Sequence, residues 1–390
     1  MKPLQKKIVF AISRLNKGGT EVQLLELIRT LDTNVFALTL VVFYAENQMW
    51  EQAKKIPHLK VVSLNKKSRW DLVFFIRLIR FLRVEKPDLI YSFLPAANLI
   101  CLAMRPFVTS AKLIWGIRSS KIEYRFFDSF SKWIWKIECL LSRAVTLIIA
   151  NSDAGAKHAL DNGAPASKIR VISNGIDTKR FLPNESHRHR LRDYLSIGDE
   201  EWVVGTVGRF DPLKDHETFL KAAEKILKRK KNVRFVLVGV KATDNDFGKK
   251  FSELVAEKKI IFSGFIQDPI SYFQMMDLYC SSSTSEGFSN SIAEAMSCGL
   301  PAVVTDVGDS KKIVGQTGWV VPPSDADALA DGILIQLSRM ELARDEMAEA
   351  ARSRILQNYP IEKLGQKITA VFNELLVGTQ AFQQTDFAVS

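Results

Sequence analysis

A chain of 390 residues with 47% hydrophobic content, 25% charged residues and a mean hydropathy near zero can bury sizeable cores, which excludes a disordered chain and one built of membrane spans. Its net charge of +11 is unevenly placed: residues 1–150 hold 24 Lys and Arg against 11 Asp and Glu, a balance of +13 that leaves about −2 for the remainder. A basic first part of this kind meets nucleic acid, an anionic membrane or a phosphorylated small molecule.

In chain order, the basic start MKPLQKKIVFAIS has the charge of a signal peptide, but its apolar stretch runs only from Ile8 to Ile12 and lacks a small-residue cleavage site, so it predicts a first strand. NKGGTEVQLLELIRTL follows, where Gly18 and Gly19 open a helix at Thr20 and Glu21. Glycines at a helix N-terminus let backbone N–H groups approach a phosphate or sugar. The spacing is neither GxGxxG nor a P-loop, and a tight strand-to-helix turn explains it equally well. Further along, RWDLVFFIRLIRFLRVEK shows two faces if helical: Leu72, Phe75, Ile79 and Leu82 on one, Trp70, Phe74, Arg77 and Phe81 near the other. The second, aromatic and cationic, is expected to face a membrane interface, as are Trp133, Trp135, Lys132 and Lys136 in YRFFDSFSKWIWKIECLLSR. The longest uncharged run, Leu89 to Met104, contains Pro95 and falls short of the roughly 20 residues a spanning helix needs. Cys101, Cys139, Cys280 and Cys298 lack metal or redox spacing and fit buried thiols of a reducing cytoplasm.

IVFAIS, ALTLVVF, DLIYSF, KLIWGI, VTLIIA and IRVIS form one series of short apolar runs, and WVVGTVG, RFVLVG, KIIFSG, DLYCSS and PAVVT a second. Runs apolar almost throughout, separated by helical stretches, predict parallel sheets covered on both faces: doubly wound α/β, twice. The turn-rich, charged segment SNGIDTKRFLPNESHRHRLRDYL puts the boundary near residues 175–195. Ligands of such sheets bind beyond the carboxyl ends of the strands, so two facing sheets make a cleft between domains.

In the second series, VGTVGRFDPLKDHETFL places Arg209 just past a strand and Lys214 before a helix beginning near Glu217. Two cations there can neutralise a diphosphate without a metal, although each alone is more often a surface charge. DLYCSSSTSEGFSNSIAEAMSCGLPAVV then reads strand, loop, helix, strand, with Ser289 or Asn290 able to cap the helix and Gly299 and Pro301 ending it. Glu286 in the loop and Glu294 inside the helix are suited to sugar hydroxyls, because a carboxylate accepts two donors at once. TDNDF at 243–247 has an Asp-x-Asp spacing, here read as a hydrated turn.

Together, KGGTEVQL, NSDAGAKHAL, VISNGIDTKRF, VGRFDPLKDHETFLKAA, FSGFIQD, TSEGFSNSIAEAMSCGLPAVVTDVGDS and GWVVPPSDADALA resemble, in order and over nearly the whole chain, family 4 of the retaining glycosyltransferases. The resemblance implies the GT-B architecture of two facing Rossmann-like domains: residues 1–180 on the acceptor side, 181–355 binding a nucleotide sugar, and a helix over 356–376 crossing back to the first domain. It implies that Arg209 and Lys214 hold the nucleotide diphosphate, Glu286 the donor sugar, Glu294 the ribose, and the backbone of Phe288, Ser289 and Asn290 the sugar and phosphate. Gly18 and Gly19 would lie near the donor phosphates. It further implies retention of configuration, no cofactor and no metal, a donor of the UDP-sugar type with GDP as the alternative, and a lipid-linked or glycan acceptor in cell-envelope polysaccharide assembly. The expected location is the cytoplasm, peripheral to the inner face of the plasma membrane, with no nucleic-acid partner. One departure stands out: many relatives have a histidine after a first-domain strand, where LIWGIRSSKIEY carries Arg118 and Ser119, an acceptor-side or active-site neighbourhood. A non-hydrolysing nucleotide-sugar epimerase and a basic membrane or nucleic-acid adaptor are the alternatives.

Overall fold

The computed structural model describes residues 5–45, 49–68, 70–107, 111–118 and 129–377, the last from its backbone alone over 129–134. Among these residues a seven-stranded sheet is built from β1 (Lys6–Ile12), β2 (Phe36–Val42), β3 (Leu59–Ser63), β4 (Leu89–Phe93), β5 (Lys112–Ile117), β6 (Leu147–Ala150) and β7 (Ile169–Val171), in the order 3-2-1-4-5-6-7. A six-stranded sheet holds β8 (Trp202–Val207), β9 (Val233–Val238), β10 (Ile260–Gly264), β11 (Leu278–Ser281), β12 (Ala302–Thr305) and β13 (Trp319–Val321), in the order 10-9-8-11-12-13. Every pairing is parallel. The two expected doubly wound layers are therefore present.

Strand β1 shows why its run is apolar without alternation. Ile8, Phe10 and Ile12 pack toward the helices Gly19–Thr30 and Ile361–Val377, whereas Val9 and Ala11 pack toward Leu72–Glu85 and Pro95–Met104. Both faces of the sheet are covered, so both side-chain sets are buried. Strands β3 and β13 were outside the expected series. They are edge strands, mostly half-buried, and an edge position needs no continuous apolar run.

The chain crosses between the domains twice, side by side. Ile176 N donates to Tyr359 O at 2.8 Å and Ile361 N to Ile176 O at 2.9 Å. Beyond this pair, the Ile361–Val377 helix lies on the first domain, where Ile368 and Phe372 are fully buried and Phe372 meets Phe36 edge-on at 5.8 Å.

The expected outer face of the Leu72–Glu85 helix needs correction. Asp71 caps that helix by accepting from Phe74 N at 3.0 Å, and its phase turns Phe74, Leu78 and Leu82 inward. Phe74 is fully buried 5.1 Å from Phe43, and Arg77 is held by Asp71 at 2.8 Å. Facing outward instead are Trp70, Leu72, Val73 and Ile76, which are 83%, 74%, 59% and 66% exposed. With apolar residues on both sides, periodicity could not choose the phase; the cap does. Trp135, also expected outside, is buried and stacked on His158 at 5.2 Å. Lys136 is exposed, and the side chains of Lys132 and Trp133 are outside the described set. Among the described residues no helix is long and apolar enough to cross a membrane.

Candidate active site

Each sheet changes winding direction once, between β1 and β4 in the first and between β8 and β11 in the second. Such switch points open a crevice at the strand carboxyl ends. Gly18 and Gly19 follow β1, Arg209 and Lys214 follow β8, and Glu286 follows β11. The loops from both sheets meet: Lys17 Nζ donates to Ile266 O at 3.3 Å, Asn290 Nδ2 to Gly19 O at 3.3 Å, and Asp309 accepts from Asp153 N and Ala154 N at 3.0 and 3.1 Å. Asp309, from the second domain, thus caps a first-domain helix.

On the floor of this cleft Lys214 Nζ lies 2.6 Å from Glu286 Oε1, and Ser283 Oγ donates to the same oxygen at 2.7 Å. Local structure fixes the lysine. Asp211 accepts from Leu213 N at 3.0 Å to form the turn Pro212–Lys214, and Asp215, at φ +47°, caps the next helix. The Glu286 loop is stitched to that turn by Thr284 N donating to Leu213 O at 2.8 Å and Ser282 Oγ donating to Lys214 O at 2.9 Å. Behind it, Gly308 sits at φ +56°, so close that a Cβ there would stand 2.2 Å from Glu286 O.

The helix Asn290–Ser297 follows. Ser289 occupies its N-cap position without capping it, because its hydroxyl lies toward Ser291 at 3.3 Å, and the Asn290 Oδ1 accepts from Asn174 instead. The expected side-chain cap is therefore absent, which leaves the first N–H groups and their partial positive charge for an anion. Phe288 is buried edge-on against Tyr359 at 5.2 Å, so only its backbone can serve the cleft. Glu294, one turn into the helix, has no hydrogen bond to its carboxylate among the described residues, and burial pushes its carboxyl up to about 7 while Arg180 opposes the shift.

Arg209 is exposed at the cleft, 3.4 Å from Asp211. Glu21, on the first turn of the Gly19–Thr30 helix, has its carboxyl raised by burial, opposed by a hydrogen bond from its own backbone N–H and by the charge of Arg209. Arg118 ends β5, with Nη2 donating to Tyr91 Oη at 2.9 Å and Nη1 to Asn174 Oδ1 at 3.1 Å. Ser119 lies outside the described residues. In TDNDF, residues 243–246 form a surface turn in which Asn245 donates to Glu217 at 3.3 Å, while Phe247 is buried.

Glu21, Lys17, Asn174 and Asp309 were not singled out from the sequence. Their sole signal is position: each falls in a strand-following segment, but their cleft partners are remote in the chain.

Comparison with known proteins accords with this geometry. Residues 187–354 match the family described as glycosyl transferases group 1, and residues 17–180 match glycosyltransferase family 4, between them most of the chain. The capsular polysaccharide biosynthesis glycosyltransferase CapM of Staphylococcus aureus is 26% identical over 318 residues, 78% of this chain and 82% of that one. The Escherichia coli UDP-Gal:alpha-D-GlcNAc-diphosphoundecaprenol alpha-1,3-galactosyltransferase is 25% identical over 54% of this chain and 55% of its own. Among solved structures, Anabaena Alr3699/HepE in complex with UDP and glucose has the same fold, with a TM-score of 0.82 at 22% identity over 95% of this chain and 100% of that one. Two parallel sheets facing across a cleft, with both halves matched, identify the chain as a glycosyltransferase of family 4 with the GT-B architecture.

Proposed function

We propose that the chain transfers a sugar, with retention of configuration, from a UDP-sugar to a lipid-linked or glycan acceptor in cell-envelope polysaccharide synthesis. The observation that carries this reading is the Lys214–Glu286 pair at 2.6 Å, set between an uncapped helix N-terminus and the paired glycines of the facing domain. On donor binding, Lys214 and Arg209 take the diphosphate, Glu286 the sugar hydroxyls, Glu294 the ribose, and the backbone of Phe288 to Asn290 the sugar and phosphate. As the bond from the anomeric carbon to the diphosphate breaks, the acceptor oxygen bonds to that carbon from the same face, and its proton passes to a departing phosphate oxygen. Lys214, Arg209 and the helix dipole stabilise the growing negative charge, the part a divalent cation plays elsewhere. CapM and the galactosyltransferase, whose names specify capsular polysaccharide and an undecaprenol diphosphate acceptor, support the envelope setting. The test is a thermal-shift panel of nucleoside diphosphates and their sugars, in which a ligand at about 100 times its Kd adds about 2.7 kcal/mol. Stabilisation by UDP and UDP-sugars is expected; response to GDP compounds alone would replace the donor, and efficient epimerisation of donor without acceptor would replace the reaction.

Glu294 gives this site a pH dependence. Only the carboxylate accepts two ribose hydroxyls, and its folded value lies near 7, so donor affinity should fall as pH drops from 8 to 6. In Glu294→Gln the donor binds more weakly at pH 8 and the residue's share of the slope disappears. Identical slopes for parent and variant, measured by titration calorimetry, would remove Glu294 from the ribose.

The enzyme is further proposed to work in the cytoplasm against the inner face of the membrane. Trp70, Leu72, Val73 and Ile76 stand out from the first domain, with Arg80 and Arg83 exposed on the same helix. Anionic lipid contributes about 1 kcal/mol per nearby basic residue, enough with the apolar contacts for reversible binding. Co-sedimentation with phosphatidylglycerol vesicles, lost in Ile76→Asp, is the expected result; no binding by the parent would place the acceptor's lipid elsewhere.

A further inference from the structure

Arg118 stands where the family resemblance would put a histidine, and it is wired differently from a ligand-binding group. Its guanidinium donates to Tyr91 Oη and to Asn174 Oδ1, lies 4.9 Å from the centre of the Phe93 ring, and has its Nε buried. Arginine can only donate hydrogen bonds. Asn174 must therefore turn its oxygen to Arg118 and its amide nitrogen away, and Nδ2 donates to Asn290 Oδ1 at 2.8 Å. Asn290 in turn presents Nδ2 to Gly19 O at 3.3 Å. Reversing either amide would set like groups against each other, so one donor-only side chain fixes the sense of every bond in the row. The row runs from the carboxyl end of β5, through the crossover segment, to the first residue of the Asn290–Ser297 helix and back to the glycine turn.

We propose that Arg118 is a positioning residue, the head of a one-way relay through Asn174 and Asn290 that holds the N-terminus of the Asn290–Ser297 helix against Gly19 across the cleft. The inference rests on the reading of that helix end as the diphosphate cradle. A histidine, which donates and accepts, would not impose the direction. Because the Arg118 side chain reaches the cradle through two amides, its loss disturbs how the closed cleft is assembled and leaves Arg209, Lys214 and Glu294 in place on the second domain.

The test is a double-mutant cycle between Arg118 and Asn290, whose side chains share Asn174 as a hydrogen-bond partner. Arg118→Met and Asn290→Ala are each expected to lower kcat about tenfold, the size of a lost hydrogen bond to or through a charged group. Arg118→Met should keep the UDP affinity of the parent within about twofold, and the double variant should lose no more than the worse single one. Asn174→Asp, which keeps the Arg118 contact but offers oxygen to oxygen at Asn290, should match the single losses. Independent, multiplying losses would overturn the relay, as would Arg118→Met turning over like the parent, or losing UDP affinity as fully as kcat. If the parent moves no sugar, the functional reading fails by itself. The same cycle read in urea-unfolding midpoints then decides the relay, since additive shifts reject it and non-additive ones support it.

Discussion

Replacing Lys214 with alanine should lower kcat about a hundredfold or more, the effect of removing one preorganised donor to charge that develops in the transition state, about 2.7–4 kcal/mol. The structure adds a second cost. Lys214 Nζ is 2.6 Å from Glu286 Oε1, and the Glu286 side chain is only 11% exposed. Without the lysine, a largely buried carboxylate keeps Ser283 as a partner but loses its counter-charge, which favours misplacement of the group assigned to the donor sugar. Because Lys214 already holds the diphosphate of the bound donor and the phosphate charge grows further as the bond breaks, kcat should fall and kcat/KM should fall at least as far. Arginine at this position restores the charge but not the single short contact, and is expected to recover activity in part. Steady-state kinetics decides; turnover of Lys214→Ala within a few fold of the parent would remove the residue from the mechanism.

Gly308→Ala should be as damaging without touching any charged group. The glycine sits at φ +56°, and a Cβ would lie 2.2 Å from Glu286 O and 2.7 Å from Gly287 O. Those are backbone atoms, so no rotamer change relieves the contact and the Glu286 loop must move. A displacement of roughly 1 Å in a reacting constellation costs about a hundredfold in rate, and the left-handed backbone adds about 1–2 kcal/mol of strain for alanine. The expected result is activity near a hundredth of the parent with a Tm lower by several degrees. Gly163→Ala is the control: it has φ +93° but nothing within 4 Å of the added carbon, so it should lose some stability and no activity. Parent-like turnover in Gly308→Ala would show that the loop does not need its present seat.

The parallel sheets were legible because central strands such as β1 and β9 bury both faces and so write unbroken apolar runs into the chain. β3 and β13 were not: they are edge strands with half-buried residues, although the other two edges, β7 and β10, were named from IRVIS and KIIFSG. The direction faced by the Leu72–Glu85 helix was misread for a related reason: apolar residues lie all around it, and the choice falls to Asp71, whose cap fixes the first turn. In the cleft, Lys214 and Glu286, whose place after strands alone favoured ordinary surface charges, could be named because the motifs VGRFDPLKDHETFLKAA and TSEGFSNSIAEAMSCGLPAVVTDVGDS resemble the family's. Asn174 and Asp309 could not. Their partners are Asn290 and the first backbone N–H groups of the Asp153–Asp161 helix, contacts that exist only once the domains face each other. Arg118 was noticed as a missing histidine, yet the consequence of its donor-only chemistry appears only with Tyr91 and Asn174 in place.

The central claim is that Lys214, Arg209 and an uncapped helix end grip a pyrophosphate between the two domains. Calorimetric titration of UDP against UMP, on the parent and on Lys214→Ala, measures that grip on the terminal phosphate directly. UDP should bind the parent far more tightly than UMP, and the preference should shrink by at least about tenfold in the variant, as expected for a charge-assisted contact. Equal affinities in the parent, or a preference that survives loss of the lysine undiminished, would contradict the account.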